Sequence, residues 1–187
     1  MIYFLCNSDF NKELVNLSRN SNCYIFNNKF FESNYTKLEM QKLLIDNKIS
    51  TPQIFQISKE KEMQLPILFK ENRHSGMILE VYTKNTIEEF FKRFKEDDFY
   101  IEEKINGGQE IKYYYIKGNI YTNNNSIIYD VVKLYCNKIS NILGLEIFSV
   151  DIIKKDNKYI VIDINPSAGF YLLDEARNNL ICEIERI

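Results

Sequence analysis

The sequence predicts an α+β fold: antiparallel β-hairpins with helices packed on them. Three observations carry that reading. Short apolar runs pair off around turn residues, as hairpins do. Segments with helical spacing fall between hairpins and not between every two strands, which separates the pattern from a doubly wound parallel sheet. No Gly-x-Gly-x-x-Gly and no Walker A stretch occurs, so neither dinucleotide-binding nor P-loop architecture is indicated.

Residues 2–6 read as a buried strand, 10–19 as a short helix and 23–26 as a second short strand. Over 37–47, Leu38, Met40, Leu43 and Leu44 recur at roughly helical spacing, and Thr51-Pro52 beyond them forces extended backbone. Residues 65–70 form a strand opened by Pro66, with 77–82 as its hairpin partner. Over 86–94, Ile87, Phe90, Phe91 and Phe94 share one helical face, a stripe expected to pack into a core. Residues 99–105 form a strand that runs into the Gly107-Gly108 turn. Residues 111–116 and 120–121 flank the hairpin turn Lys117-Gly118-Asn119. A long amphipathic helix over 127–143 ends at Gly144, a fitting C-cap. Residues 145–153 and 159–164 make a last hairpin around Lys155-Asp156-Asn157, and 172–184 a terminal helix.

The 187 residues are 45% hydrophobic and 27% charged, ordinary globular composition with room for one compact domain or two small lobes. With 24 basic and 26 acidic residues the net charge is -2, so the overall balance makes no electrostatic case for nucleic acid or an anionic membrane. The longest apolar runs are too short to span a bilayer. The start MIYFLCNSDF lacks the basic region and small-residue cleavage site of a signal peptide, and a cytoplasmic location is expected. Cys6, Cys23, Cys136 and Cys182 are scattered without a Cys-x-x-Cys, and there is one histidine. That argues against zinc and leaves reduced thiols as the expectation.

The strongest chemical signal lies in the last hairpin. Its strands read Val150-Asp151-Ile152-Ile153 and Val161-Ile162-Asp163-Ile164-Asn165-Pro166-Ser167-Ala168-Gly169. Neighbouring antiparallel strands can set Asp151 beside Asp163, and Asp163 and Asn165, two apart, share a face. Two close carboxylates in half-buried apolar surroundings repel unless one keeps its proton or a cation sits between them. The three oxygen-bearing side chains suit Mg2+ or Mn2+; solvated carboxylates at strand ends are the plain alternative.

These stretches, with Leu143-Gly144-Leu145 before them, resemble the C-terminal signature of the ATP-grasp superfamily, most nearly the carboxylate–amine ligases of the ribosomal-protein glutamate ligase type. Three further segments agree in order. Tyr35-Thr36-Lys37-Leu38 resembles the family's first nucleotide lysine, and Leu65-Pro66-Ile67-Leu68-Phe69-Lys70 the strand with the second. Tyr100-Ile101-Glu102-Glu103-Lys104-Ile105, then Gln109-Glu110-Ile111-Lys112, resembles the hinge strand and the acidic-Ile-basic triplet after it. The likeness spans roughly residues 35–180. It implies two small lobes of antiparallel sheet with packed helices, clasping a nucleotide cleft. A reduced strand–helix–strand segment over 1–34 would precede an ATP-grasp domain over 35–187, its first lobe about 53–100 and its second about 101–187.

By the same resemblance, Lys37 and Lys70 hold ATP phosphates. The backbone at Glu102 and Glu103 with Ile105 receives the adenine, and Glu110 bonds the ribose. Asp151, Asp163 and Asn165 hold Mg2+ or Mn2+, and Lys112 is the catalytic cation at the γ-phosphate or acyl phosphate. Lysines on a surface and glutamates at a strand end are ordinary, so each taken singly also reads as solvated charge. The implied activity is ATP- and Mg-dependent ligation of a carboxylate to an amine through an acyl phosphate. Substrates would be small molecules or peptides, with no nucleic acid or membrane partner and homo-oligomer formation left open. A noncatalytic ATP-binding module and an ATP-grasp phosphotransferase are the alternatives. Two segments depart from the family pattern. The turn over 71–77 holds one glycine where the family has a glycine-rich flap, and 122–126 is short where relatives carry a longer basic loop. His74 reads as an exposed loop residue, and Ser167 as a turn residue or helix N-cap.

Overall fold

The computed structural model describes residues 2–3, 24–55, 64–74, 76–95, 98–122, 127–169 and 174–186. Two four-stranded antiparallel sheets form its frame. The first has the order β3 (Ile54–Phe55), β6 (Phe99–Glu103), β4 (Ile67–Glu71), β5 (Ile78–Val81). The second has the order β10 (Lys158–Asn165), β9 (Ile147–Lys155), β7 (Gln109–Ile116), β8 (Asn119–Thr122). A separate parallel pair joins β1 (Ile2–Tyr3) to β2 (Tyr24–Ile25). The described helices are α1 (Asn28–Ser33), α2 (Lys37–Asp46), α3 (Lys84–Phe91), α4 (Asp130–Leu143) and α5 (Asp174–Glu185).

Local chemistry fixes the ends that matter for the site. The Thr36 hydroxyl accepts the Glu39 N–H at 3.2 Å while the Glu39 carboxylate accepts the Thr36 N–H at 2.8 Å. This reciprocal capping box starts α2 with Lys37 as its first residue. Helix α4 ends on Gly144 at φ 68°, a left-handed position glycine adopts without a Cβ clash.

Alternation along the strands divides each sheet into a face that builds an apolar core and a face left free of one over at least part of its length. In the second sheet Ile111, Tyr113, Tyr115, Phe148, Val150, Ile152, Val161 and Ile164 join a core with Val132, Cys136, Ile139 and Leu143 of α4 and Met40 and Leu44 of α2. On the opposite face Tyr114, Ile116 and Ile147 pack with Phe26 and with Ala176 and Leu180 of α5. Lys112, Asp151 and Asp163 lie along the strands beyond that cover. In the first sheet Ile67, Phe69, Val81, Phe99 and Ile101 pack on Ile87 and Phe90 of α3. Leu68, Lys70, Tyr100 and Glu102 therefore share the other face.

The hairpins and the two long helices fall where the sequence predicts, with α4 starting three residues later than expected, and other features differ. Helix α3 stops at Phe91, and Phe94 lies beyond it, 41% exposed, stacking on Phe90 with ring centroids 4.5 Å apart. Helix α1 and strand β3 were not foreseen. The chain leaves the first sheet after Glu103, and residues 104–108 cross to the second. The helix expected over 10–19, and Cys6 and Cys23, lie outside the described residues.

Candidate functional site

The site forms where the free faces of the two sheets meet. Strand pairing sets Lys112 opposite Asp151 across β7 and β9, and Asp151 opposite Asp163 across β9 and β10. Three charged side chains thus stand in one row. The row depends on a bulge: Val161 pairs with Ile152 and Asp163 with Asp151, leaving Ile162 unpaired. In a regular ladder Asp163 would meet Val150, on the face packed against α4. The extra residue moves a carboxylate from a buried apolar face to the free one. Asn165 pairs with Ser149 and shares that face.

Each cation predicted from the sequence is engaged here. Lys112 Nζ lies 2.6 Å from Asp151 Oδ1 and 2.7 Å from Oδ2. Lys37 is ion-paired with Asp163 and donates to the Ile164 carbonyl at 2.9 Å. Lys70 sits 2.6 Å from Glu102 Oε1 and donates to the Ile162 carbonyl at 3.1 Å; the bulge frees that carbonyl from the ladder. Lys37 and Lys70 come from elements outside the second sheet and converge on residues 162–164. The Asp163 side chain remains 44% exposed against 18% for Asp151, so the row opens at its β10 end.

Lys70 and Glu102 are 8% and 1% exposed, a buried pair in which each charge depends on the other. Gln41 donates to Glu102 Oε2 at 3.4 Å. Burial pushes the Glu102 carboxyl above its ordinary value, and Lys70 opposes that shift. Glu102 therefore serves Lys70 with its side chain. Glu103, its exposed neighbour, accepts the Gln53 N–H at 3.3 Å. Ile105 is half-buried and Glu110 exposed.

Sequence reasoning missed Tyr100 and misplaced His74. Tyr100 pairs with Lys70 across β4 and β6 and is 6% exposed. Burial first, then the Glu102 and Asp163 carboxylates, raise its phenol, so it stays a neutral O–H. Its position two residues before Glu102 was the available signal. His74 is not an exposed loop residue. Its ring meets Phe30 edge-on with centroids 5.6 Å apart, Nε2 lies 3.2 Å from the Tyr35 carbonyl, and Nδ1 is buried without a hydrogen-bond partner. Burial, and then Lys37, hold its pKa below the ordinary histidine value. Ser75 lies outside the described residues. The Ser167 N–H donates to Asn165 Oδ1 at 2.9 Å, and Ser167 lies in a turn.

The donor set fits a hard dication. Two carboxylates stand in register beside an amide oxygen, a set of hard oxygen donors of the kind such an ion takes. Among the described residues no group of three or more His, Cys, Asp or Glu side chains is gathered for a metal; the set here is two acids and Asn165. Among the described residues no helix is long and apolar enough to cross a membrane.

No known protein-family profile matches this chain, and no curated protein matches it by sequence. Solved structures do match. The ATP-grasp ligase PsnB, complexed with precursor peptide PsnA2 and AMPPNP, aligns at TM-score 0.65 and 17% identity over 87% of this chain and 59% of its own. A RimK domain protein ATP-grasp from Sphaerobacter thermophilus DSM 20745 aligns at TM-score 0.68 and 11% identity, over 95% of this chain and 76% of its own. D-alanine–D-alanine ligase from Bacillus anthracis aligns at TM-score 0.67 and 17% identity, over 93% and 70%. The α+β architecture expected from the sequence is the ATP-grasp fold. The chain spans 59% of the length of the PsnB structure it matches.

Proposed function

We propose that this protein is an ATP- and Mg2+-dependent ligase that joins a carboxylate to an amine through an acyl phosphate. The observation that carries the reading is the row Lys112–Asp151–Asp163, met from other elements by Lys37 and Lys70. Several cations around a pair of cation-binding acids are what a triphosphate with a divalent ion requires.

Asp151, Asp163 and Asn165 would hold Mg2+ or Mn2+, which when bound neutralises phosphate charge and orients the γ-phosphoryl group for in-line transfer. Lys37 and Lys70 give phosphate oxygens their ammonium donors. Backbone at Glu102 and Glu103 with Ile105 takes the adenine, and Glu110 the ribose. Lys112, held by its hydrogen bond to Asp151 Oδ2, is the catalytic cation where substrate carboxylate and γ-phosphorus meet. First, a carboxylate oxygen bonds to the γ-phosphorus and the bond to the β–γ bridging oxygen breaks, releasing ADP. Then the amine nitrogen bonds to the acyl carbon, phosphate leaves, and the amine gives up a proton. Positioning and charge supply the catalysis, so no nucleophilic side chain is needed.

PsnB and MdnC, a macrocyclase from Microcystis aeruginosa MRC, were solved with precursor peptides, which favours a peptide among the substrate classes. The segment over 1–34, the two-lobe division near residue 100 and a cytoplasmic location belong to the same proposal. The test is ADP release by the purified chain with ATP, Mg2+ and a panel of carboxylates and amines. Substrate-stimulated release is expected. Saturable MgATP binding without release across the panel would replace the ligase by a binding module, and no stabilisation by ATP with Mg2+ would end the reading.

A further inference from the structure

Asn27 lies far from Asp151, Asp163 and Asn165 in sequence, yet its bonds end on the hairpin that carries them. It is 3% exposed and left-handed, with φ 61° and ψ 23°, immediately before α1. Its side-chain oxygen accepts the N–H groups of Glu146 at 2.7 Å and Ile147 at 2.9 Å. Its amide nitrogen donates to the carbonyls of Ile147 at 2.5 Å and Pro166 at 2.8 Å. Two donors and two acceptor sites are all an asparagine amide offers, and all are used. The Asn27 backbone N–H also donates to Glu146 Oε2 at 3.3 Å, and Glu146 Oε1 accepts the Tyr24 hydroxyl.

Because β9 and β10 are antiparallel, the start of one lies beside the end of the other, with Asn165 paired to Ser149. Asn27 bridges those two ends. Its bond to the Pro166 carbonyl holds one end of the Pro166–Ser167 peptide group, and the N–H at the other end of that group holds Asn165 Oδ1. One planar peptide unit therefore links Asn27 to the Asn165 amide.

We infer that Asn27 is a positioning residue for the cation site: by holding the Pro166 carbonyl it fixes the direction of the Asn165 amide beside Asp163. The inference rests on the metal role given to Asn165 above. It also gives residues 24–27 a task, as a clamp on the hairpin that holds the cation.

The probe is Mn2+ with AMPPNP, read by the electron paramagnetic resonance of free Mn2+, with melting temperature recorded alongside. Asn27→Asp keeps the shape and both accepted bonds but loses the two donors that hold the carbonyls. Asn27→Gly removes the side chain and tolerates the left-handed backbone. Both are expected to weaken Mn2+ binding about tenfold, the low end for loss of an outer partner of a metal ligand, with AMPPNP affinity in the absence of divalent cation unchanged. A folded variant with parental Mn2+ affinity overturns the inference and leaves Asn27 a purely structural residue. Should both variants fail to fold, Tyr24→Phe loosens the same clamp through Glu146. A smaller loss of Mn2+ affinity is then expected, and parental affinity overturns the inference. A parent chain that takes up no Mn2+ with AMPPNP sinks the proposed function itself, a result read before any variant is compared.

Discussion

Asp163 faces Asp151 directly across the β9–β10 ladder because Ile162 is left unpaired between Val161 and Asp163. If the pair holds a divalent ion, removing either charge removes metal-dependent stabilisation of the chain. At about a hundred times Kd, a native-state ligand adds about 2.7 kcal/mol, which is about 5–10 °C in melting temperature for a chain of this size. Asp163→Asn and Asp151→Asn should each lose most of the shift that ATP with Mg2+ gives the parent, measured by scanning calorimetry. An Asp163→Asn protein that keeps the full shift would take Asp163 out of the cation site.

The Lys70–Glu102 pair separates stability from binding. Lys70→Met leaves a buried carboxylate without its counter-charge, which costs about 3–5 kcal/mol, less whatever Glu102 recovers by taking a proton. Replacing both by methionine should restore most of the loss, since an apolar pair of similar volume fills the space. It should not restore ATP binding. Chemical denaturation reads the first quantity and calorimetric titration with ATP the second. A double variant that binds ATP as the parent does would remove Lys70 from the phosphate site.

The parts of this site that were legible in the sequence are those written in local period. Spacing of two placed Asp163 and Asn165 on one face, and Gly144 ended α4. Register was not written there. The run Ile160-Val161-Ile162 is apolar on both faces, so it does not report the bulge that leaves Ile162 unpaired and sets Asp163 against Asp151. Glu102 and Glu103 read alike in the chain, but alternation buries the first against Lys70 and exposes the second. His74 and Asn27 owe their settings to partners 39 and 139 residues away, Tyr35 and Pro166. No local pattern reports a contact over such separations.

The packing of α4 on the second sheet predicts thiol reactivity. Cys136 is fully buried in that interface, and burial pushes its thiol up to about 12, whereas Cys182 on α5 is exposed. The thiolate is the reactive form. Iodoacetamide at about pH 8, close to the ordinary thiol pKa, should therefore alkylate Cys182 in the folded protein and reach Cys136 only after unfolding, as read by peptide mass mapping. Equal labelling rates at the two would mean that α4 does not seal the core as described.

His74 predicts a pH dependence with a definite sign. It sits among Phe30, the Tyr35 carbonyl and the charges of Lys37 and Asp163, and its pKa is held below the ordinary value by burial and then by Lys37. On acidification the unfolded chain takes up the proton first, at about pH 6.5. Between there and the lower folded value the unfolded state binds more protons, so stability is lost as pH falls through that window. Glu102 works in the opposite direction: its raised carboxyl is protonated first in the folded state, a contribution that grows as pH falls. His74→Gln, uncharged throughout, removes the histidine part and keeps the glutamate part. The unfolding free energy of the parent minus that of His74→Gln should decline as pH drops below about 6.5, measured by denaturant titration. A difference that stays flat between about pH 8 and about pH 5, the span in which an ordinary histidine changes charge, would show that the folded chain does not hold His74 neutral.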